Sequence, residues 1–467
     1  MILIFTSGNP MTSKKQISTE SLQTDEDKLH QIIIVGGGAG GAELARKLGK
    51  TLGKRKKARI TLVDNCLVHV WKPLLHEIAA GTLNACAEEI EYLDHALINH
   101  YEFRLGSMEG VDRENQEIIL APTLNEDGDE LIPARRFHYD TLIISVGSET
   151  NHFNIPGVKE NSLFLDSLRQ ANKFNRVLMT KMIKAQTRTK PLREGQLHVA
   201  IAGAGATGIE LAAELHGVTE RMIAYGFDKI EPNKDIKITI IEASDKVLSA
   251  LPEHLSNAVL KELNDLNIDV LTNERVIEAS DKGFTTESGK FIPAETTVWA
   301  AGIKAPSFLG DIEGLETNSI NQLVVKQTLE TSNDSNIFAF GDCASCPMDD
   351  TGENFVPPRA QAAHQQASLL VKTMKNRMAG TAIPTYQYVD YGSLVNLGRY
   401  TTVGNLMGSL SSRWTGNMRV EGFMAKFVYK SLYKMHLVSL HGYTREIMLS
   451  VGGWLANKGT KPRLKLH

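Results

Sequence analysis

The sequence predicts an α/β fold with two parallel sheets, and three observations predict it. A glycine-rich turn between an apolar strand and an apolar-faced helix occurs twice, in Gln31–Leu48 and again in His198–Leu215. Each copy is followed by a second apolar strand closing on an acidic residue, Asp64 after Ala58–Val63 and Glu242 after Ile236–Ile241. A chain of 467 residues, 42% apolar and 22% charged, is long enough for two or three domains with cores of their own.

The two copies match position by position. Gly36, Gly38, Gly41, Glu43, Leu44, Ala45 and Leu48 recur as Gly203, Gly205, Gly208, Glu210, Leu211, Ala212 and Leu215, 167 positions on (Gly36 to Gly203). A lone G-x-G-x-x-G is weak evidence, but a strand before it, a helix after it and an acidic strand end beyond make it strong. The first glycine makes the tight turn, and the second lets backbone N–H groups approach a pyrophosphate. The third allows close packing of helix on strand, and the carboxylate takes a ribose diol. Both copies are therefore Rossmann-like dinucleotide-binding turns. Glu242 would repel a ribose 2′-phosphate, and Ala243-Ser244-Asp245 offers no arginine to accept one, so NADH is expected over NADPH.

Three further segments divide the work. Tyr139–Ser148 is a strand running into a turn at Gly147, and Thr297–Gly302 has the same shape. Both resemble the crossover segments of two-dinucleotide flavoproteins, and Ile337–Asp342 resembles their second flavin motif, with Asp342 facing the ribityl chain. The expected organisation is a disordered extension at 1–30 and an FAD domain split between 31–150 and 298–384. An NADH domain is inserted at 151–297, and a membrane-association module follows at 385–467. FAD, held without a covalent bond, falls to Gly36, Gly38, Gly41, Asp64, Lys72, Gly147, Gly341 and Asp342. NADH falls to Gly203, Gly205, Gly208, Glu242 and Gly302.

A narrower resemblance rests on His69–Glu77 (HVWKPLLHE), Ala300–Pro306 (AAGIKAP), Gly341–Cys346 (GDCASC) and Pro357–Gln365 (PPRAQAAHQ). Together they look like the bacterial, membrane-bound type II NADH:quinone oxidoreductases, from about residue 30 to the end. The resemblance implies electrons passing from NADH through FAD to a membrane quinone, without proton pumping, peripherally at the cytoplasmic face of the cell membrane. It also admits a homodimer. The sequence agrees that no pump is built in, since it holds neither membrane spans nor cysteine sets for iron–sulfur clusters.

Pro357 and Pro358 are expected in the first turn of a helix, which places Gln361 and Gln365 on one face. The family reading lets that helix line the quinone cavity, with both glutamines hydrogen-bonding a quinone carbonyl. Glu210 stands two residues after Gly208, where the superfamily sets a glutamate between nicotinamide and flavin. Burial there would raise its pKa and suit it to proton transfer. The rival reading, a glutamate favoured by the helix dipole, draws support from its counterpart Glu43. Lys72 is open to two roles, at the flavin or capping a loop. Cys343 and Cys346 form a C-x-x-C, read as buried thiols, and the histidines show no spacing that suggests a metal.

The last segment is basic on an acidic body. Residues 413–467 carry ten Lys and Arg against Glu421 and Glu446, which leaves the tail near +8 in a chain of net charge −3. No run approaches the roughly 20 apolar residues of a spanning helix. Residues 421–441 and 446–455 instead read as amphipathic helices, with Lys426, Lys430 and Lys434 in one stripe, lying on an anionic lipid surface. The motifs for both nucleotides end before residue 384, so this tail is expected to be dispensable for binding them. Nothing points to nucleic acid. A sulfide:quinone oxidoreductase would need cysteines at the flavin, and a soluble ferredoxin or rubredoxin reductase would not need the basic tail.

The Glu242 assignment is directly testable. Glu242→Gln should raise the ratio of kcat/KM for NADPH to that for NADH by about tenfold, the worth of one charge-assisted contact. An unchanged ratio would remove Glu242 from the ribose site.

Overall fold

The computed structural model describes residues 29–84, 89–125, 127–224, 226–397, 401–406 and 418–457. Of these, 220–224, 232–233, 393–394, 401–406, 418–430 and 453–457 are described by backbone alone. The extension up to residue 28, Cys86 and the basic end 458–467 lie outside the described residues, as do the side chains of Lys426 and Lys430. His30, assigned above to the extension, instead opens the first strand, its ring 2.9 Å from the Thr141 hydroxyl.

The first sheet is built from β1 (His30–Val35), then α1 (Ala39–Leu48), β2 (Ala58–Asp64), α2 (Leu75–Ala80), β3 (Glu102–Leu105) and β4 (Thr141–Ile144). The chain then builds the second sheet with α3 (Leu168–Gln186), β5 (His198–Ala202), α4 (Ala206–Ala224), β6 (Lys237–Ile241), β7 (Asp269–Leu271) and β8 (Thr296–Trp299). It returns to the first through β9 (Asp334–Ala339) and α5 (Ala360–Met378). The six-stranded sheet runs Glu330–Thr331, β9, β4, β1, β2, β3, parallel except at its first pair. The five-stranded sheet runs Ser162–Leu163, β8, β5, β6, β7, parallel throughout. Strands β4, β5 and β8 are buried at every residue. Such runs suit parallel sheets covered on both faces by helices.

The chain crosses between the sheets twice, and the crossings pair with each other. Glu149–Thr150 runs antiparallel to Ile303–Lys304. The boundary expected at 298 is therefore too early: β8 belongs wholly to the second sheet, with Ala202 opposite Trp299, and the return begins at Ile303. Two three-stranded antiparallel sheets, Met108–His138 and Val276–Pro293, were not read from the sequence.

The C-terminal region holds a three-stranded antiparallel sheet, β10 (Gly392–Leu397), β11 (Thr401–Leu406) and β12 (Met418–Glu421), then α6 (Gly422–His441) and α7 (Tyr443–Asn457). It is less separate than expected. Tyr386 and Leu440 sit in the core of the first sheet, and Val395 and Leu397 in that of the second. Helix α2 likewise buries Leu75 and Ile78 in the second core. Lys434, expected on a lipid-facing stripe, instead pins α6 to α7: its Nζ lies 2.8 Å from Glu446 Oε1 and 3.1 Å from Ser450 Oγ. Large apolar side chains beside it remain open to solvent, with Met435 at 66%, Ile447 at 61% and Met448 at 68% exposure. Among the described residues, no helix is long and apolar enough to cross a membrane.

Candidate active site

The two glycine turns share one geometry. A Cβ on Gly36 (φ +98°) would stand 2.3 Å from the Ser145 carbonyl oxygen, and one on Gly203 (φ +105°) 2.8 Å from that of Ala300. On Gly41 and Gly208 it would meet the carbonyl oxygens of Gly36 and Gly203 at 1.9 and 2.1 Å, so each helix is pressed onto its own turn. Gly38 and Gly205 differ, for a Cβ there would meet nothing within 4 Å. An open middle glycine at a helix N-terminus is the cradle that a pyrophosphate fills. These residues therefore fit a dinucleotide at each turn.

A carboxylate braces each turn from the neighbouring strand. Asp64 Oδ2 accepts from the Gly37 N–H at 2.6 Å and Oδ1 from that of Cys66 at 2.8 Å. Glu242 Oε2 accepts from the Ala204 N–H at 2.7 Å and Oε1 from that of Ser244 at 2.8 Å. Burial raises the pKa of Asp64 against the opposing pull of its N–H donors.

The other expected FAD residues come together around the turn at Gly147 and Ser148. Gly147 (φ +72°) and Gly341 (φ +74°) both need the left-handed conformation that glycine tolerates. Lys72 Nζ donates to the Ser148 carbonyl at 2.8 Å, next to Gly147. Ser148 Oγ donates to Asp342 Oδ2 at 2.9 Å. Gly302 lies at the interdomain crossing, its carbonyl accepting from the Asn151 N–H at 3.2 Å. It is two residues past Ala300, on which Gly203 packs.

Glu210 is where the three parts of the molecule converge. It is buried on α4, its Oε1 accepts from the Asn396 N–H of β10 at 3.0 Å, and its Oε2 lies 3.5 Å from His76 Nδ1 of α2. Burial raises its pKa to about 8 against the Asn396 N–H, with Glu77 and Glu214 adding repulsion. Burial lowers His76 to about 4, so both groups are uncharged at neutral pH. His76 Nε2 is buried without a protein partner, a polar atom left for a ligand or water beside the carboxyl.

Pro357 and Pro358 precede α5 rather than occupy its first turn; the helix starts at Ala360 after Arg359 in extended backbone. Gln361 and Gln365 do share a face, but both amides are engaged by the segment entering β10. Gln361 donates to Asp390 Oδ1 at 3.2 Å and to the Gly392 carbonyl at 3.1 Å, and accepts from the Tyr391 N–H at 2.9 Å. Gln365 donates to the Val389 carbonyl at 2.8 Å and accepts from the Val389 N–H at 3.1 Å. They bond this segment as a neighbouring strand would. Gln366, not singled out from the sequence, is the glutamine that reaches the Gly341 turn, accepting its N–H at 2.8 Å.

Comparison with known proteins agrees with this geometry. Residues 30–367 match the family model described as pyridine nucleotide-disulphide oxidoreductase. The chain is 41% identical over 452 residues to a type II NADH:quinone oxidoreductase of Haemophilus influenzae, covering 94% of this chain and 100% of that one. It is 28% identical over 385 residues to the protein of that name in Staphylococcus aureus, covering 81% and 90%. The chain belongs to the type II NADH:quinone oxidoreductases. The fold is also that of NDH2 from Plasmodium falciparum solved in complex with NADH, at TM-score 0.76 and 21% identity over 93% of this chain and 99% of that one. A sulfide:quinone oxidoreductase from Aquifex aeolicus shares it at TM-score 0.67 and 16% identity, over 88% of this chain and 91% of that one.

The C-x-x-C lies buried, as read from the sequence. Cys343 and Cys346 are both buried free thiols, and burial pushes each up to about 12. Among the described residues no group of histidine, cysteine or carboxylate side chains is arranged to hold a metal ion.

Glu210 carries a pH signature. Its pKa is raised from 4.5 to about 8 in the fold, so the native state holds a proton that the unfolded chain releases between those values. Stability from this group is full below about pH 4.5 and falls as pH rises towards 8. Glu210→Gln mimics the protonated acid. Its Tm should exceed that of the wild type by a few degrees near pH 8, and the gap should close near pH 5. Parallel Tm curves would show that Glu210 is ionised in the native state.

Proposed function

We propose that this chain passes electrons from NADH to a quinone, by way of FAD, while resting on a lipid surface through α6 and α7. The observation that carries the reading is the Glu210 carboxyl, buried where α4, α2 and the C-terminal sheet meet, in surroundings that favour its protonated form. FAD, when bound at the first turn, supplies the two-electron carrier. The chain's own residues supply the rest. Gly36, Gly38 and Gly41 with Asp64 hold the first pyrophosphate and ribose. Gly203, Gly205, Gly208 and Glu242 hold those of NADH, and Glu242 turns away a 2′-phosphate. Glu210 keeps a proton within reach of a reduced quinone at neutral pH, which an ordinary carboxylate would not. Gln361 and Gln365 act by holding residues 389–392 against α5, which seats β10 and hence the Asn396 N–H on Glu210.

This role for the glutamines separates the two half-reactions. Gln361→Ala should leave bleaching of the holoenzyme by NADH within about twofold of wild type and slow reoxidation by a short-chain quinone about tenfold or more. Anaerobic stopped-flow reads both. Equal losses would mean the variant displaces the flavin, and no loss in either would leave Gln361 without a role.

The lipid surface is supported by the apolar side chains left open on α6 and α7, since each is worth roughly 1.5–3 kcal/mol when fully immersed. A basic tail adds attraction that salt weakens. Ile447→Glu together with Met448→Glu should lower co-sedimentation with anionic vesicles about tenfold while NADH-to-soluble-acceptor activity stays. Undiminished co-sedimentation would place the anchor elsewhere.

A further inference from the structure

Four titratable side chains far apart in the sequence form one hydrogen-bonded row, with Glu43, His69 and His436 buried and His364 partly exposed. His364 Nδ1 of α5 bonds Glu43 Oε2 of α1, and Lys47 Nζ contacts the other oxygen, Oε1. His364 Nε2 lies 3.4 Å from His436 Nδ1 of α6, and His436 Nε2 lies 3.0 Å from His69 Nε2. His69 Nδ1 lies 2.9 Å from the Gly37 carbonyl, to which Tyr92 also donates at 2.6 Å. The row thus runs from the body of α1, through the C-terminal helix, back to the glycine turn that α1 follows.

Its last member dictates the protons of all the others. The Gly37 carbonyl only accepts, so His69 Nδ1 must carry hydrogen. In a neutral ring Nε2 is then bare, and His436 Nε2 must donate to it. His436 Nδ1 is bare in turn, so His364 Nε2 donates. The remaining nitrogen, His364 Nδ1, faces the Glu43 carboxylate and needs a proton too. The row therefore points one way and holds one extra proton, at the Glu43–His364 end. Burial pushes Glu43 up, but the His364 ring and Lys47 outweigh it and hold it below the ordinary range. A second extra proton would set two N–H groups against each other, across 3.0 Å if it sat on His69 Nε2 and across 3.4 Å if it sat on His436 Nδ1.

Other contacts fix α6 at the same place. Trp71 stacks on His436 and Tyr433 with ring centroids 5.4 and 5.1 Å away. Arg46 donates to the Ser439 carbonyl at 3.0 Å, and His95 Nε2 lies 2.8 Å from that of Leu440.

We propose that the row Glu43–His364–His436–His69 makes FAD binding at the Gly36–Gly38 turn depend on docking of α6, and that a second proton in the row undoes both. This rests on reading that turn as the FAD site. His69 and His436 are positioning residues: they act on the cofactor through the Gly37 carbonyl. Coupling of this kind is reciprocal, so FAD must hold α6 as α6 holds FAD. It also makes the tail matter for FAD, although every nucleotide motif precedes it.

Acid sensitivity follows from the burial. Burial, with neighbouring His95, His364 and His441 opposing further charge, lowers His69 from 6.5 to about 4, and burial with His69, His364 and His441 nearby lowers His436 well below its ordinary value. Neutral rings in the fold and protonating rings in the undocked helix mean that docking is full above about pH 6.5 and weakens towards 4. Lys47 acts on Glu43; Arg445, Arg46 and Lys434 add positive charge and Glu446 negative charge at neighbouring His441, and Asp64 adds negative charge at Tyr92.

The experiment is FAD release from the full-length holoenzyme, followed by flavin fluorescence after dilution between about pH 7.5 and 5. Wild-type release should accelerate about tenfold across that range, and His436→Phe, which keeps the ring on Trp71, should release FAD about tenfold faster at pH 7.5 with a shallower profile, since His69 and His95 remain. A His436→Phe protein with the wild-type rate and profile overturns the coupling. A second measurement uses unaltered protein: FAD should slow amide exchange in residues 432–441 more than in 443–452, and equal slowing overturns it too. A wild type that takes up no FAD overturns the cofactor reading and the coupling together; one that binds FAD without acid-dependent release overturns the coupling alone.

Discussion

Each nucleotide turn is held by a carboxylate from the strand beside it. Asp64 takes the Gly37 N–H and Glu242 the Ala204 N–H, one position past the first glycine in both copies. Without that brace the turn would have to place its amides against neighbouring backbone, because the first and third glycines already leave no room for a Cβ. In the proposed sites the same carboxyl would meet a nucleotide ribose with its remaining lone pairs. One side chain would then set turn geometry and cofactor choice together.

The second organising point is the junction of three parts at Glu210. The crossings pair as Glu149–Thr150 with Ile303–Lys304, fixing how one sheet leaves the other. Helix α2 reaches from the first sheet into the core of the second, and β10 arrives from the C-terminal region. Their contributions to Glu210 are a neutral imidazole and a backbone N–H. Neither supplies a positive charge, so desolvation dominates and the carboxyl keeps its proton. A lysine or arginine at either place would have produced an ordinary carboxylate.

Local chemistry was legible in the sequence and long-range partnership was not. The glycine turns, the acidic strand ends and the raised glutamate follow from residue type and spacing over a few positions. The boundary at 298 was misplaced because β8 and the crossing after it form one apolar run, and hydropathy does not mark where a chain changes sheets. Gln361 and Gln365 were legible as a shared helix face, but their partners among residues 389–392 lie 24 to 31 residues on in a segment without periodicity. Lys434 belonged to a regular stripe, and only the packing of α7 reveals Glu446 beside it.

The histidine row shows the same limit most clearly. His69, His364 and His436 have no mutual spacing, and each alone reads as an ordinary buried ring. Glu43 reads as the dipole-favoured twin of Glu210, yet the two glutamates differ in charge. Glu43 faces His364 and Lys47 and is held ionised, whereas Glu210 faces a neutral ring and two further acids and is held protonated. Duplication supplied the same residue at the same place on two helices. The difference between them comes from what the non-duplicated segments bring: α6 and α5 at the first copy, β10 and α2 at the second. In this chain the repeated fold positions the nucleotides, and the added segments decide where protons reside.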